Sequence, residues 1–279
     1  LNAIVDRYDA EAADYARYWA PVLEATARRL LDYIDPYVAR HGGRVRLLEV
    51  GVGTGTLALA ALERWPQAEI VAGDAARGML DLARSRVAAA RPADTRVSFV
   101  EGHADALPLA DGSVDLVIST FVLQLVPNRL AALREALRVL RPGGMVSYLT
   151  WLDRDSREPF RPADEFDEAV YDLEIDEPEE GEEQRAGDVH SGRTATNELR
   201  RAGFVRASAA EEELVYHWTR GSYLDYKFAY DERTLLSTLN RAQRARLERN
   251  ARERMSRLPP RAFRWHAPVV FARGFSPAG

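Results

Sequence analysis

The sequence predicts an α/β fold in which about seven mostly parallel strands form one sheet with helices on both faces, and three observations predict it. Between Val45 and Trp151, short β-rich runs alternate with helical ones, the pattern of βαβ units. The first of these runs, Leu47-Leu-Glu-Val50, breaks into glycines at Gly51, Gly53 and Gly55, as a buried strand does when it feeds a tight loop. With 279 residues and 46% apolar composition, the chain can bury the core of one elaborated α/β domain.

The elements follow in order. From Asp6 to about Arg40 apolar residues recur at helical spacing, with Pro21 and Pro36 as punctuation, which predicts two helices and an N-terminal helical cap over residues 1–43. Residues 44–279 then form the main domain. Its strands are predicted at Val45–Val50, Glu69–Gly73, Val97–Val100, Val114–Ser119 and Met145–Trp151, with helices near Thr56–Arg64, Arg77–Ala89 and Arg129–Leu140. Arg141-Pro-Gly-Gly144 is the stop signal after the last of these helices. Beyond Trp151 the alternation ends, and eight carboxylates fall between Asp172 and Glu183. Such a block reads as a solvated segment, or as part of a lid that includes the acidic segment 164–188 and a helical insertion at about 219–258. Helical pattern returns at Arg193–Ala202, Phe204–Tyr216 reads as a strand, and two helices follow, Ser222–Tyr230 and an Arg-rich one from about Glu232 to Arg257. Arg261–Gly274 supplies the last strand.

Bulk properties exclude several functions. There are no cysteines, so disulfides, thiolate metal sites and cysteine nucleophiles are ruled out, and no metal site is expected. A formal charge of −5 argues against broad nucleic-acid binding. No run reaches the roughly 18 apolar residues of a membrane helix, and no basic-then-apolar leader pattern opens the chain, so a cytoplasmic location without membrane insertion is expected. The sequence assigns no oligomeric state.

The loop chemistry narrows the ligand. The glycines follow G-x-G-x-G, whereas the dinucleotide fingerprint needs glycine at the position of Thr56, which shifts the expectation from NAD to another adenosine-containing cofactor. A helix starting near Thr54 or Thr56 would aim free N–H groups at an anion. Asp74, 19 residues beyond Gly55 at the end of the second strand, is placed to accept from ribose hydroxyls, or to cap the next helix. Glu49 lies inside an apolar run, where a carboxylate is costly unless paired, and a cationic amino group would compensate it.

These residues resemble the class I S-adenosylmethionine-dependent methyltransferases, in the subgroup of small-molecule and quinone methyltransferases. The resemblance runs through Leu47–Gly55, Gly73-Asp-Ala-Ala-Arg-Gly-Met-Leu80, Leu107-Pro108 with Asp111-Gly-Ser-Val-Asp115, Val117–Pro127 and Leu133–Gly144, covering roughly Asp6 to Trp151. It implies a Rossmann-like sheet and S-adenosyl-L-methionine as cofactor, with S-adenosyl-L-homocysteine as product. It also implies that Gly51, Gly53 and Gly55 wrap the methionine portion, that Glu49 engages its amino group and that Asp74 holds the ribose. Ala75 and Met79 would line the adenine. Relatives often carry Asp-Ala after the third strand; here Gly102-His103-Ala104-Asp105 stands, so His103 or Asp105 with the Ala104 backbone would meet the adenine edge. Ser119-Thr120-Phe121 would border the sulfonium, and the Asn/Asp-Pro-Pro-Tyr quartet of amide and nucleobase-amine methyltransferases is absent there.

The expected activity is methyl transfer to O, N or C of a small, apolar or aromatic metabolite. The alternatives are a methyltransferase of RNA or protein, and a methyltransferase-fold protein that binds the cofactor for a non-methylating reaction. Tyr15, Phe121, Gln124 and Trp151 are the substrate candidates, Gln124 standing where many relatives have histidine. His190, His217 and His266 are candidate bases, none assigned as catalytic. The aromatic set Tyr8, Tyr15, Tyr18, Trp19, Trp218, Tyr223, Tyr226 and Phe228 reads as core or as the roof of an apolar pocket, and the Arg-rich helix as a solvated face or a partner for the acidic segment.

Overall fold

A computed structural model describes residues 2–156, 158–175 and 185–278. Seven strands form one sheet in the order β3-β2-β1-β4-β5-β7-β6. They are β1 Arg46–Val50, β2 Glu69–Asp74, β3 Val97–Glu101, β4 Val114–Thr120, β5 Leu140–Trp151, β6 Val205–His217 and β7 Arg264–Phe275. The first five pair in parallel, and β7 runs antiparallel between β5 and β6. Alternate residues of β1 point to opposite faces: Leu47 packs with Leu30, Ile34 and Leu116, while Leu48 packs with Val71, Val117, Leu133 and Leu199. Burial on both faces is why this strand reads as a continuous apolar run.

The cap departs from the expected pair of helices. Helix α1 (Asn2–Asp14) passes through a single π-helical turn at Tyr15–Trp19 into α2 (Ala20–Arg40), so the helical path is unbroken. Pro21 falls in the first turn of α2, where its missing N–H has no partner to lose. Pro36 lies inside α2 on its exposed side, where water can solvate the freed carbonyl.

The remaining helices are α3 Thr56–Arg64, α4 Arg77–Ala90, α5 Arg129–Val139, α6 Arg161–Tyr171, α7 Gly192–Ala202, α8 Arg220–Tyr226, α9 Arg233–Thr238 and α10 Arg241–Ser256. Helix α6 was not visible as an alternation break in the sequence. The Arg-rich stretch is two helices, because Asn240 stops one and starts the next. Its side-chain oxygen accepts from the N–H groups of Ala242 and Gln243, and Gln243 Oε1 accepts from the Asn240 N–H. Three helices therefore separate β6 from β7, where two were expected. Phe166, Trp218, Tyr223, Leu247 and Met255 form their shared core. Arg254 of α10 bonds Asp172 at 2.9 Å and Glu165 at 3.4 Å, so the basic helix does partner the start of the acidic segment. The rest of that segment, residues 176–184, lies outside the described residues.

Candidate functional site

The carboxyl ends of β1, β2 and β4 meet at the glycine loop. The N–H groups of Gly51 and Val52 both donate to the Gly73 carbonyl at 2.8 Å, which turns the chain sharply off β1. Gly51 has φ +76°, and a Cβ there would lie 2.2 Å from Val122 Cγ2, so only glycine lets this loop touch the segment after β4. Asp74 ties the loop to the β2–α4 turn: its Oδ2 accepts from the Gly53 N–H and its Oδ1 from the Ala76 N–H, each at 2.9 Å. Burial raises its pKa, and the N–H groups of Ala76, Gly53 and Ala75 oppose that rise. Asp74 is not the N-cap of α4, a position Ala76 occupies; it braces the turn before the helix and lines the adjoining cavity.

Two cavities adjoin across this loop. Asp74, Ala75 and Met79 line one side of the first, Gly102, His103, Ala104 and Asp105 another, and Ile4, Val5 and Tyr8 of α1 cover it. The second is lined by Glu49, Thr54 and Leu57 with Leu23, Glu24 and Ala27 of α2. Tyr15, Gly51, Gly53, Thr120 and Phe121 line both, so the cavities adjoin along these residues and together make up the channel. Among the described residues, no lysine or arginine lines either cavity.

The charge balance of the channel is therefore acidic. Glu49 is 2% exposed and its Oε2 has no hydrogen-bond partner. Burial holds its pKa well above the usual carboxylate range, the charge on Asp74 adds to this, and the Ala58 N–H opposes it. A buried carboxylate oxygen with an unfilled valence fits an ammonium group. Tyr15 is likewise held neutral, its pKa raised by burial and then by Tyr8, Tyr230 and Asp74.

Two aromatic rings, Tyr15 and Phe121, border both cavities, and further rings pack behind them. Phe121 adopts φ +56°, a left-handed conformation uncommon for a bulky residue, and its N–H donates to the Leu149 carbonyl at 2.8 Å. Its ring centroid lies 4.4 Å from Trp151, and the series continues through Trp265, Trp19, Tyr226 and Tyr230 to Tyr15, each step between 5.3 and 6.5 Å. The aromatic set thus divides. Tyr8 and Tyr15 line the channel, whereas Trp218 and Tyr223 are buried in the core of the helical insertion.

Most of the residues singled out from sequence come together here: Glu49, Gly51, Gly53, Asp74, Ala75, Met79, His103, Ala104, Asp105, Tyr15 and Phe121. Four do not line the channel. Gly55 instead brings α3 against α4, where its Cβ would lie 3.1 Å from that of Ala83. Ser119 is buried in β4 and donates to the Val50 carbonyl at 2.9 Å. Gln124 turns into the core, accepting from Thr150 Oγ1 at 2.8 Å, and Trp151 stands behind Phe121. The three candidate bases also lie elsewhere: His190 pairs with Asp153, His266 with Glu213, and His217 is exposed. Ile4, Val5, Val122, Leu125 and Val126 line the channel without having been singled out. The spacing of Ile4, Tyr8, Ala12 and Tyr15 on one face of α1 is the signal that could have found the first of them.

Comparison with known proteins agrees with this geometry. A family model described as a methyltransferase domain matches residues 47–144. The chain is 41% identical over 120 residues to the ubiquinone/menaquinone biosynthesis C-methyltransferase of Dinoroseobacter shibae, covering 43% of this chain and 46% of that one. In that match it spans less than half of the relative's length. A longer match, 32% identical over 208 residues, is to the malonyl-(acyl-carrier protein) O-methyltransferase of Geobacter sulfurreducens and covers 74% of this chain and 72% of that one. Among solved structures, the cyclase SpnF shares the fold with a TM-score of 0.52 at 20% identity, covering 85% of this chain and 76% of that one.

Proposed function

Because the chain belongs to the class I S-adenosylmethionine-dependent methyltransferases, we propose that it transfers a methyl group to O, N or C of a small apolar or aromatic metabolite in the cytoplasm. The unpartnered Glu49 oxygen in a cation-free channel, with Asp74 further along it, is the observation that carries this reading. In it, Glu49 holds the cofactor's ammonium, Asp74 its ribose hydroxyls, Gly51 and Gly53 its methionine portion, and Ala75, Met79 and the His103–Asp105 loop its adenine. The bound cofactor supplies a sulfonium methyl with a good neutral leaving group. Tyr15, Thr120 and Phe121, which border both cavities, exclude water and align the acceptor. No side chain is assigned as a general base, since alignment can carry a displacement of this kind. The aromatic rings around the junction favour a flat, apolar acceptor over a charged one.

Residues 1–43 act in this reading as a cap and the insertion at about 219–258 as part of a lid. Calorimetric titration of folded protein with S-adenosylmethionine tests the cofactor, and no binding would sink the proposal. Radiolabelled methyl transfer to phenols and quinols, with bulk tRNA in parallel, tests the acceptor; label appearing only in tRNA would replace the small-molecule assignment.

Glu49 predicts a pH signature. Its pKa in the fold is raised, so its contribution to stability is full below the unfolded value of about 4.3 and is lost as pH rises through the folded value. Glu49→Gln is therefore expected to raise the thermal midpoint of the ligand-free protein at neutral pH while weakening cofactor binding. Wild-type binding should release protons, seen as a dependence of the calorimetric heat on the buffer's ionisation enthalpy. Equal proton release by both proteins would count against the Glu49 role.

The cap yields a second prediction. Asp9 of α1 accepts from the Gly78 N–H in the first turn of α4, an anion placed at a helix N-terminus. A Cβ on Gly78 would lie 2.5 Å from the Asp9 carbonyl oxygen, which is backbone and cannot swing aside. Gly78→Ala should lift α1 and weaken cofactor affinity while leaving the circular dichroism of the sheet domain unchanged.

A further inference from the structure

We propose that a further cavity, at the amino-terminal edge of the parallel strands, binds a small phosphate-bearing ligand. It is lined by Arg40 at the end of α2, Arg206 and Ser208 of β6 and Arg273 of β7, with Tyr37 and Phe275 among its apolar walls. No carboxylate belongs to its lining. Arginines such as Arg64, Arg129, Arg138 and Arg254 sit instead on carboxylates elsewhere in the chain. Arg40 and Arg206 make no ion pair among the described residues. Three arginines lining one cavity bring like charges together, a repulsion that a bound anion would relieve.

The backbone supports the same conclusion independently. Arg206 has φ +50°, a left-handed conformation that costs an arginine energy and a glycine nothing. It occupies a β-bulge, since Val205 pairs with Phe275 and Ser208 with Arg273, leaving one extra residue on β6. The bulge aims the Arg206 guanidinium across the Phe275 ring at 4.1 Å. Arg273 is braced beside it, its Nε donating to Ser208 Oγ at 3.3 Å and its Nη1 to the Tyr33 carbonyl at 3.4 Å. Arg206, Arg273 and Arg40 line the same space, and together they carry more guanidinium donors than one carboxylate accepts, which suits a phosphate group.

This cavity is separate from the cofactor channel. Met145 of β5 lines it, whereas the channel lies at Thr120 of β4, which pairs with Leu149, four residues or about 13 Å further along β5. Helix α2 touches both, with Leu23 and Ala27 on the channel and Tyr37 and Arg40 here. The inference does not depend on the methyl-transfer reading.

Titration of the full chain with sodium pyrophosphate at fixed ionic strength, followed by calorimetry, tests it. Saturable binding with one site per chain is expected. Arg206→Gly should weaken it by about tenfold or more with a thermal midpoint unchanged or raised, because the strain goes with the side chain; Arg273→Gln should weaken it as well. No saturable binding to wild type, or equal affinity in wild type and Arg206→Gly, would overturn the proposal. So would tight binding of a single-stranded RNA that pyrophosphate does not displace, which would assign the surface to a polymer.

Discussion

Asp74→Ala is expected to weaken S-adenosylmethionine binding by about 1.5–3 kcal/mol, roughly 10- to 150-fold, the range for hydrogen bonds to a charged group. The expectation rests on two losses. In the proposed reading the ligand would lose its ribose acceptor, and the N–H groups of Gly53 and Ala76 would lose their shared carboxylate. The second loss loosens the glycine loop as well, so Asp74→Asn should not restore affinity fully: its amide has one acceptor oxygen for two donors. Calorimetry of both variants, with circular dichroism to confirm the fold, is the measurement. Affinity within twofold of wild type for Asp74→Ala would remove the residue from the site.

Gly51→Ala should cost about 2–4 kcal/mol of stability and most of the cofactor affinity. Part is backbone strain at φ +76°, and part is the overlap with Val122, whose Cβ and Cγ1 would also lie at 3.2 Å and leave it no easy rotation away. The two parts are separable. Gly51→Ala with Val122→Ala relieves the overlap and keeps the strain, so the double variant should recover part of the lost melting temperature. A single variant as stable as wild type would show that the loop does not hold this conformation.

Much of the central fold was legible because each signal was local. The run Leu47–Val50 is buried on both faces, and Thr56–Arg64 matches its predicted helix residue for residue. The cap was less legible. Proline reads as punctuation, yet Pro21 and Pro36 sit where the missing N–H costs little, a property of the tertiary surroundings. The site shows the same division. Gly51, Asp74 and Glu49 sit at the ends of strands whose order fixes where they point. Ser119 and Gln124 lie in the correct segment, but strand alternation turns one into the sheet and a partner hydroxyl on Thr150 draws the other into the core. Arg206 carried no sequence signal, because neither the bulge nor the cavity exists until β6 and β7 are paired.

The unbroken path from α1 through the π-helical turn into α2 couples the walls of the two cavities mechanically. Ile4, Val5 and Tyr8 roof the first cavity, and the bond from Gly78 to Asp9 latches that roof to α4. Tyr15, in the π turn of the same path, is a wall of both cavities, so a ligand in either one bears on the helix that Asp9 latches to α4.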